Sequence, residues 1–271
     1  MKDIARKWYK RLELSEFYEK AFDYLLDHTN IEYIIDQANP LQYLVEKKDI
    51  GSNLVYILVK CEKMQEMYEK RGIPDKYLQA ALSEIAREVL DCHKNIGKLG
   101  IYEITWFDCF VKGTMLFRLG RLNFMLETAG DWCTGENVCA GDKIVSVHIP
   151  GEEKLYEEDC YQAFLEAEYF IMQYFPEHDF QYFICHSWLL DGMYEEFLKD
   201  NSNISKFRRM FKPYRRDEAD SVIKFAFGKA VTRANIDEYQ CRNSFQEKLK
   251  KYILEGGKLY VTCGTRTREY K

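Results

Sequence analysis

The spacing of apolar and polar residues changes character near residue 98. Up to that point apolar residues recur three or four apart, the period of a helix with one buried face. "SEFYEKAFDYLLDHT" opens on Ser15, whose hydroxyl can accept from the free N–H groups of a helix start, and it aligns Phe17, Ala21, Tyr24 and Leu25 on one face. "PLQYLVEKK" and "SNLVYILVKCEKMQEMYEKRG" continue the pattern, the second ending at Gly72, and "PDKYLQAALSEIAREVLDCHKNIG" runs from Pro74 to Gly97. Proline suits a helix start, where an N–H has no partner anyway, and glycine suits the left-handed turn that ends many helices.

From Ile101 the pattern shortens. "ITWFDCFV", "TMLFRLGRLNFML", "DKIVSVHIP", "FQYFICHSWLL", "SVIKFAFG" and "KLYVTCGTR" are rich in β-branched and aromatic residues and predict strands. Among them "YEEDCYQAFLEAEYFIMQYF" predicts a helix that aligns Phe164, Ala167, Phe170, Ile171 and Tyr174. Further helices are predicted over "DGMYEEFL", over "SNISKFRRMF" with its cap at Ser202 or Asn203, and over "NIDEYQCRNSFQEKLKKYILEGG". The expected architecture is α+β: a helical N-terminal domain over 1–98, then a C-terminal domain over 99–271 with a mostly antiparallel sheet flanked by helices.

The composition fits a globular core, with 46% hydrophobic and 31% charged residues in 271. A net charge of -5 weighs against nucleic-acid partners, which need an excess of Lys and Arg. The basic run Arg208, Arg209, Lys212, Arg215 and Arg216 reads as a solvated face or a phosphate contact. Nine scattered cysteines without a CxxC pair read as reduced thiols. No run approaches the roughly 20 apolar residues of a membrane span, and "MKDIARKWYKRLELSEFYEK" lacks an apolar leader. A cytoplasmic protein without membrane attachment is expected. The adjacent pairs Cys92-His93 and Cys185-His186 lack metal-site spacing, so no metal is expected.

Several polar residues sit in apolar strands and are candidates for chemistry. Alternation along "IVSVHIP" puts Val145, Val147 and Ile149 on one face and Ser146 and His148 on the other. His148 is either a base at a strand end or a brace hydrogen-bonded within the structure. Arg118 and Arg121 flank Gly120 in "FRLGRL". They either bind an anionic substrate group or pair with acidic residues of the helical domain, since an unpaired buried charge is costly. Cys185 and His186 are neighbours on a strand and point to opposite faces, which rules out a nucleophile–base pair between them.

The order "KIVSVHIP", "GEEKL", helix, "FQYFICHSWLL", "DGMYEEFL" is similar to the core of the GNAT-superfamily acyltransferases. Together with "FRLGRLNF", "FPEHDFQYFICHSWLLD" and "SNISKF", it resembles a family that joins a helical N-terminal N-acyltransferase domain to a GNAT-like C-terminal domain. The resemblance implies transfer of an acyl group from a CoA or carrier-protein thioester to a small amine. Acyl-CoA or CoA would be the cosubstrate. It also implies a strand, here Val145 to Pro150 with Val147 and Ile149, splayed from a partner strand over Phe180 to Leu189, with His186 near the substrate. A phosphate loop would follow over Gly151 to Leu155, including Lys154. His148 would assist deprotonation of the amine, and Tyr194 would protonate the departing thiolate. GNAT phosphate loops usually read Gln/Arg-x-x-Gly-x-Gly/Ala, whereas "PGEEKL" carries one glycine and two glutamates. That acidity suggests, as the alternative, a ligand-binding or regulatory protein that keeps the fold without transfer.

Overall fold

The computed structural model describes residues 1–271 apart from Glu136, Glu152, Asp200, Lys229 and Lys271. By contacts the chain divides into two compact units, Met1–Leu119 and Gly120–Lys271. The division falls later than the expected boundary after residue 98.

The first unit holds seven helices and a short strand: α1 (Lys2–Arg11), α2 (Glu19–His28), α3 (Ile31–Ile35), α4 (Pro40–Lys47), α5 (Ile50–Arg71), α6 (Asp75–Ile96), α7 (Ile104–Val111) and β1 (Leu116–Leu119). Helix α5 is central. Leu54, Val55, Tyr56, Ile57, Leu58 and Val59 are all buried in succession, the mark of a helix surrounded on every side, and α1, α2, α3, α6 and α7 pack on it. Local chemistry sets the ends: Asn39 caps α4 ahead of Pro40, Asp49 caps α5, and Gly72 and Gly97 close α5 and α6 in the left-handed region.

Two expectations in this unit are corrected. "ITWFDCFV" is α7, not a strand: its buried Ile104, Phe107, Asp108 and Val111 stand at helical spacing, and that period outweighs the β propensity of the residues. In α2 the buried residues are Phe22 and Leu26, while Phe17, Ala21 and Tyr24 are exposed, so the buried face is rotated by about one residue from the expected one.

The second unit carries β2 (Leu122–Thr128), β3 (Lys143–His148), α8 (Glu157–Tyr174), β4 (Tyr182–Ser187), α9 (Asn203–Arg208), β5 (Lys212–Glu218), α10 (Ser221–Phe227), α11 (Ser244–Leu254) and β6 (Tyr260–Thr267). Its strands lie in the order β2-β3-β4-β6-β5. Only β3 and β4 are parallel, joined by the crossover helix α8. One sheet face packs on α8 through an aromatic cluster, in which Phe164 and Phe183 meet edge-to-face at 5.0 Å and Phe124 lies 5.6 Å from Phe183. The other face is partly covered by the loop after β2, where Ala129, Cys133 and Val138 bury Ile144, Ile184 and Cys263.

"SVIKFAFG" is α10 rather than a strand, for the same reason as α7: Val222, Ile223 and Phe227 are buried at helical spacing. The basic run contains a strand, β5, which tolerates Pro213 because it is the edge of the sheet. The helix expected over "NIDEYQCRNSFQEKLKKYILEGG" reaches only Ser244–Leu254, capped by Asn243, with a single 3-10 turn at Ile236–Glu238. Among the described residues no helix is long and apolar enough to cross a membrane.

Glu168 of α8 is buried, at 1% exposure, and its carboxylate accepts from the backbone N–H groups of Glu269 (2.9 Å) and Tyr270 (2.7 Å) just beyond β6. Charge-assisted bonds of this kind are strong, and their loss leaves donors without an acceptor. Glu168→Ala is therefore expected to cost about 2–3 kcal/mol in urea unfolding. A change under about 0.5 kcal/mol, the range of ordinary surface substitutions, would show that the tail is held by other contacts.

Candidate active site

The register of β3 against β4 defines the site. Strands β2 and β3 pair through six residue pairs, from Asn123↔His148 to Thr128↔Lys143, and β4 and β6 pair through six more, from Tyr182↔Thr267 to Ser187↔Thr262. Between β3 and β4 only Val145↔Phe183 and Ser146↔Ile184 are paired. Beyond that level β3 continues through Val147 and His148, and β4 through Cys185, His186 and Ser187, without partnering one another. The two parallel strands therefore part at their C-terminal ends, where that stretch of β4 has no pairing with β3.

Alternation places the chemistry on one face. Ser146 and Ile184 are partners, so His148 and His186, each two residues further, lie on the same sheet face, one on each lip. Val147 and Cys185 point to the other face and are buried. Burial pushes the Cys185 thiol well above its ordinary pKa, and it is a core residue rather than a nucleophile.

His148 is half-buried, and burial lowers its pKa to about 4, so the imidazole is neutral at physiological pH. Its Nε2 lies 3.1 Å from the Ser146 hydroxyl oxygen, which also hydrogen-bonds Glu127 Oε2 of β2. His186 is about one-third exposed, with Nε2 3.9 Å from Asp217 Oδ2, and its ring centroid is 6.1 Å from that of Trp132. Desolvation lowers its pKa, against the opposing pull of Asp217. Arg215 fixes Asp217 through Nε, at 3.2 and 2.9 Å from the two carboxylate oxygens. The Tyr214 hydroxyl donates to the carbonyl of Cys133, tying β5 to the loop that carries Trp132.

The loop after β3 is held from below by Arg121. This arginine is 6% exposed, and it donates to the carbonyls of Lys154 (3.0 Å), Pro150 (3.1 Å) and Glu153 (2.6 Å). Gly151 and the Lys154 side chain are exposed, and a Cβ added at Gly151 would meet nothing within 4 Å. The first turn of α8 then presents Glu157, Glu158 and Asp159. Glu152, one of the two glutamates of "PGEEKL", lies outside the described residues.

These placements bear on three of the expected roles. Arg118 is partly buried and pairs with Glu84 of α6 at 2.7 Å, within the first unit. Arg121 donates to the carbonyls of the loop. Tyr194 is 1% exposed in an apolar cluster with Val222, Ile223 and Leu249. Its hydroxyl donates to the Tyr260 carbonyl (2.9 Å) and accepts from the Tyr260 N–H (3.1 Å), and burial raises its pKa to about 12. Both its hydrogen-bonding roles are filled by the backbone, so it pins the turn after β4 to β6. Glu127 and Ser146 were not marked as site residues by the sequence. Strand alternation points Ser146 and His148 the same way, but the acid beside them comes from another strand.

Parallel strands that part at their C-terminal ends, joined by a crossover helix, with a loop ahead of that helix, define a GNAT-type acyltransferase fold. The sequence bears this out. Residues 116–266 match the GNAT-like C-terminal domain and residues 4–113 the N-acyltransferase N-terminal domain. The chain belongs to this family of acyltransferases. No curated protein matches the sequence. Among the solved structures similar in fold are three that each cover 98% of this chain and 88% of their own. One is an acyltransferase in complex with decanoyl-CoA (20% identity, TM-score 0.79). A second is in complex with decanoyl-CoA and teicoplanin (22%, 0.76), and a third with CoA and 10C-teicoplanin (21%, 0.77).

Proposed function

We propose that the protein transfers an acyl group from a CoA or carrier-protein thioester to an amine acceptor, with the thioester lying in the β3–β4 opening. The observation that carries this reading is the halt of β3–β4 pairing after Ser146↔Ile184, with an imidazole on each lip. The open edge of β4 suits the amides of a pantetheine arm, which can replace the missing strand. Structural neighbours in complex with decanoyl-CoA and with CoA support a CoA thioester as donor. The amine acceptor ranges from a small molecule to a larger scaffold of the kind represented by teicoplanin in those neighbours. The free cysteines suit the cytoplasm, a compartment that keeps thiols reduced.

In the reaction the amine nitrogen attacks the thioester carbonyl and the C–S bond breaks with its electron pair on sulfur. His148, neutral and beside the opening, takes the proton that the nitrogen loses. The same imidazole returns the proton to the thiolate, a task for which Tyr194 is not placed. His186 borders the acceptor on the opposite lip.

Thermal unfolding with CoA and a series of acyl-CoAs tests the reading. A ligand at about 100 times its dissociation constant adds about 2.7 kcal/mol. Stabilisation together with thiol release in the presence of an amine is expected. Failure of every CoA and pantetheine thioester to bind would leave the non-catalytic alternative.

The loop chemistry makes a sharper prediction. Exposed Glu153, Glu157, Glu158 and Asp159 outnumber the nearby cations Lys154, Lys206 and Arg121, of which Lys206 lies 3.7 Å from Glu157 and Arg121 3.8 Å from Glu153. A pyrophosphate at this helix start therefore meets opposing charge, which offsets the favourable helix dipole. An acyl-pantetheine, which lacks the nucleotide, is expected to retain kcat/KM within about tenfold of acyl-CoA, a difference of 1.4 kcal/mol. A preference for acyl-CoA beyond about a hundredfold, or 2.8 kcal/mol, would mean that the nucleotide binds away from this loop.

A further inference from the structure

We propose that Glu127 is a positioning residue of the reaction: through Ser146 it holds the His148 ring in the tautomer that carries hydrogen on Nε2 and leaves Nδ1 as the basic atom. The kinetic part of this inference rests on the acyl-transfer reading; the tautomer does not.

The three residues come from two strands and meet because of register. Met125 of β2 faces Ser146 of β3 across the ladder, so Glu127 and His148, each two residues from that pair, share its sheet face. Ser146 is 2% exposed between them. Its hydroxyl has one hydrogen to give and two lone pairs to receive with, whereas a carboxylate only accepts. The hydrogen bond to Glu127 Oε2 therefore takes the serine hydrogen. The serine oxygen, 3.1 Å from His148 Nε2, is left to accept, and the ring must supply the hydrogen from that nitrogen. A neutral imidazole has one N–H, so Nδ1 is its basic nitrogen.

This chain of donors has a chemical consequence. When Nδ1 takes the amine proton, the ring becomes a cation that donates from Nε2 to Ser146, which donates to the Glu127 carboxylate. Negative charge thus faces the new cation through one hydroxyl. No proton moves along the chain: the proton gained at Nδ1 leaves from Nδ1 to the thiolate. Glu127 touches neither thioester nor amine and acts through its neighbours.

Two-bond 1H–15N correlation spectra of the full chain labelled at its five histidines report the tautomer without any substrate. The His148 signal is assigned by its absence in His148→Asn. The wild type is expected to show hydrogen on Nε2, and Ser146→Ala and Glu127→Ala are each expected to give a mixture of tautomers. A wild-type ring with hydrogen on Nδ1, or a tautomer unmoved by both substitutions, would overturn the inference. Either variant alone decides this point should the other fail to fold. In acyl transfer each single variant is expected to lower kcat by about tenfold to a hundredfold with KM little changed, and the double variant by no more than the worse single. Independent, multiplying losses would also overturn it. A tautomer that behaves as expected in a protein showing no acyl transfer would uphold the positioning and remove the transferase reading instead.

Discussion

His148→Asn is expected to lower kcat for acyl transfer by two to four orders of magnitude, the range for loss of a general base, and to make the protein less sensitive to acid. The two effects share one cause. Burial between β2 and the cleft holds the imidazole pKa at about 4, below its ordinary 6.5. Above pH 6.5 the ring is neutral in both folded and unfolded chains and contributes no pH dependence. As pH falls from 6.5 the unfolded chain binds a proton that the folded chain refuses, so stability declines until the folded ring also protonates near pH 4. Across that window the loss amounts to about 3 kcal/mol from this residue. His178 and His186, lowered mainly by burial, act in the same direction. Urea unfolding at pH 8 and pH 4.5 should show a smaller difference for His148→Asn than for the wild type. Equal pH dependence, with kcat within about tenfold of wild type, would place His148 among structural residues.

Arg121→Lys is expected to be the most damaging conservative change in the second unit. The guanidinium reaches three carbonyls from two nitrogens, a geometry a single ammonium cannot copy. Carbonyls left without donors, beside a cation that remains buried, are expected to cost about 3 kcal/mol. The damage should be local. Amide exchange over residues 150–156 should accelerate before that of β3 or α8, and KM for the acyl thioester should rise by about tenfold or more while the affinity for the acceptor changes little. Uniform exchange protection with an unchanged KM would show that the loop keeps its shape without Arg121.

Both substitutions probe features that differ in how far the sequence reveals them. Local signals were legible where one stretch carried the whole cause. The caps at Ser15 and Ser202, the stops at Gly72 and Gly97 and the buried stripe of α8 need only neighbours a few residues away. Alternation alone separated His148 from Val147, and His186 from Cys185, which is why the two imidazoles of the lips were already among the candidates. Propensity misled at α7 and α10, where β-branched and aromatic residues stand at helical period, and a helix packed on an apolar surface accommodates them. At β5 a basic run concealed an edge strand, because one ladder and one partly wet face do not demand apolar residues.

What only the tertiary structure decided is which distant groups meet. Nothing local to "IVSVHIP" shows that pairing with β4 stops after Ser146, since that depends on where a strand beyond α8 diverges. Nothing local to "FRLGRL" assigns Arg118 to Glu84 and Arg121 to three carbonyls near residue 150. Tyr194, one of twenty tyrosines, became a core residue only when β6 brought the backbone of Tyr260 to its hydroxyl. By itself the sequence determined the long helices α5, α6 and α8, the crossover order and the direction in which the side chains of β3 and β4 point, because short-range sterics and burial periodicity govern those. The opening between β3 and β4, the partners of each buried charge and the Glu127–Ser146–His148 chain depended on register between strands, which contacts across long separations set.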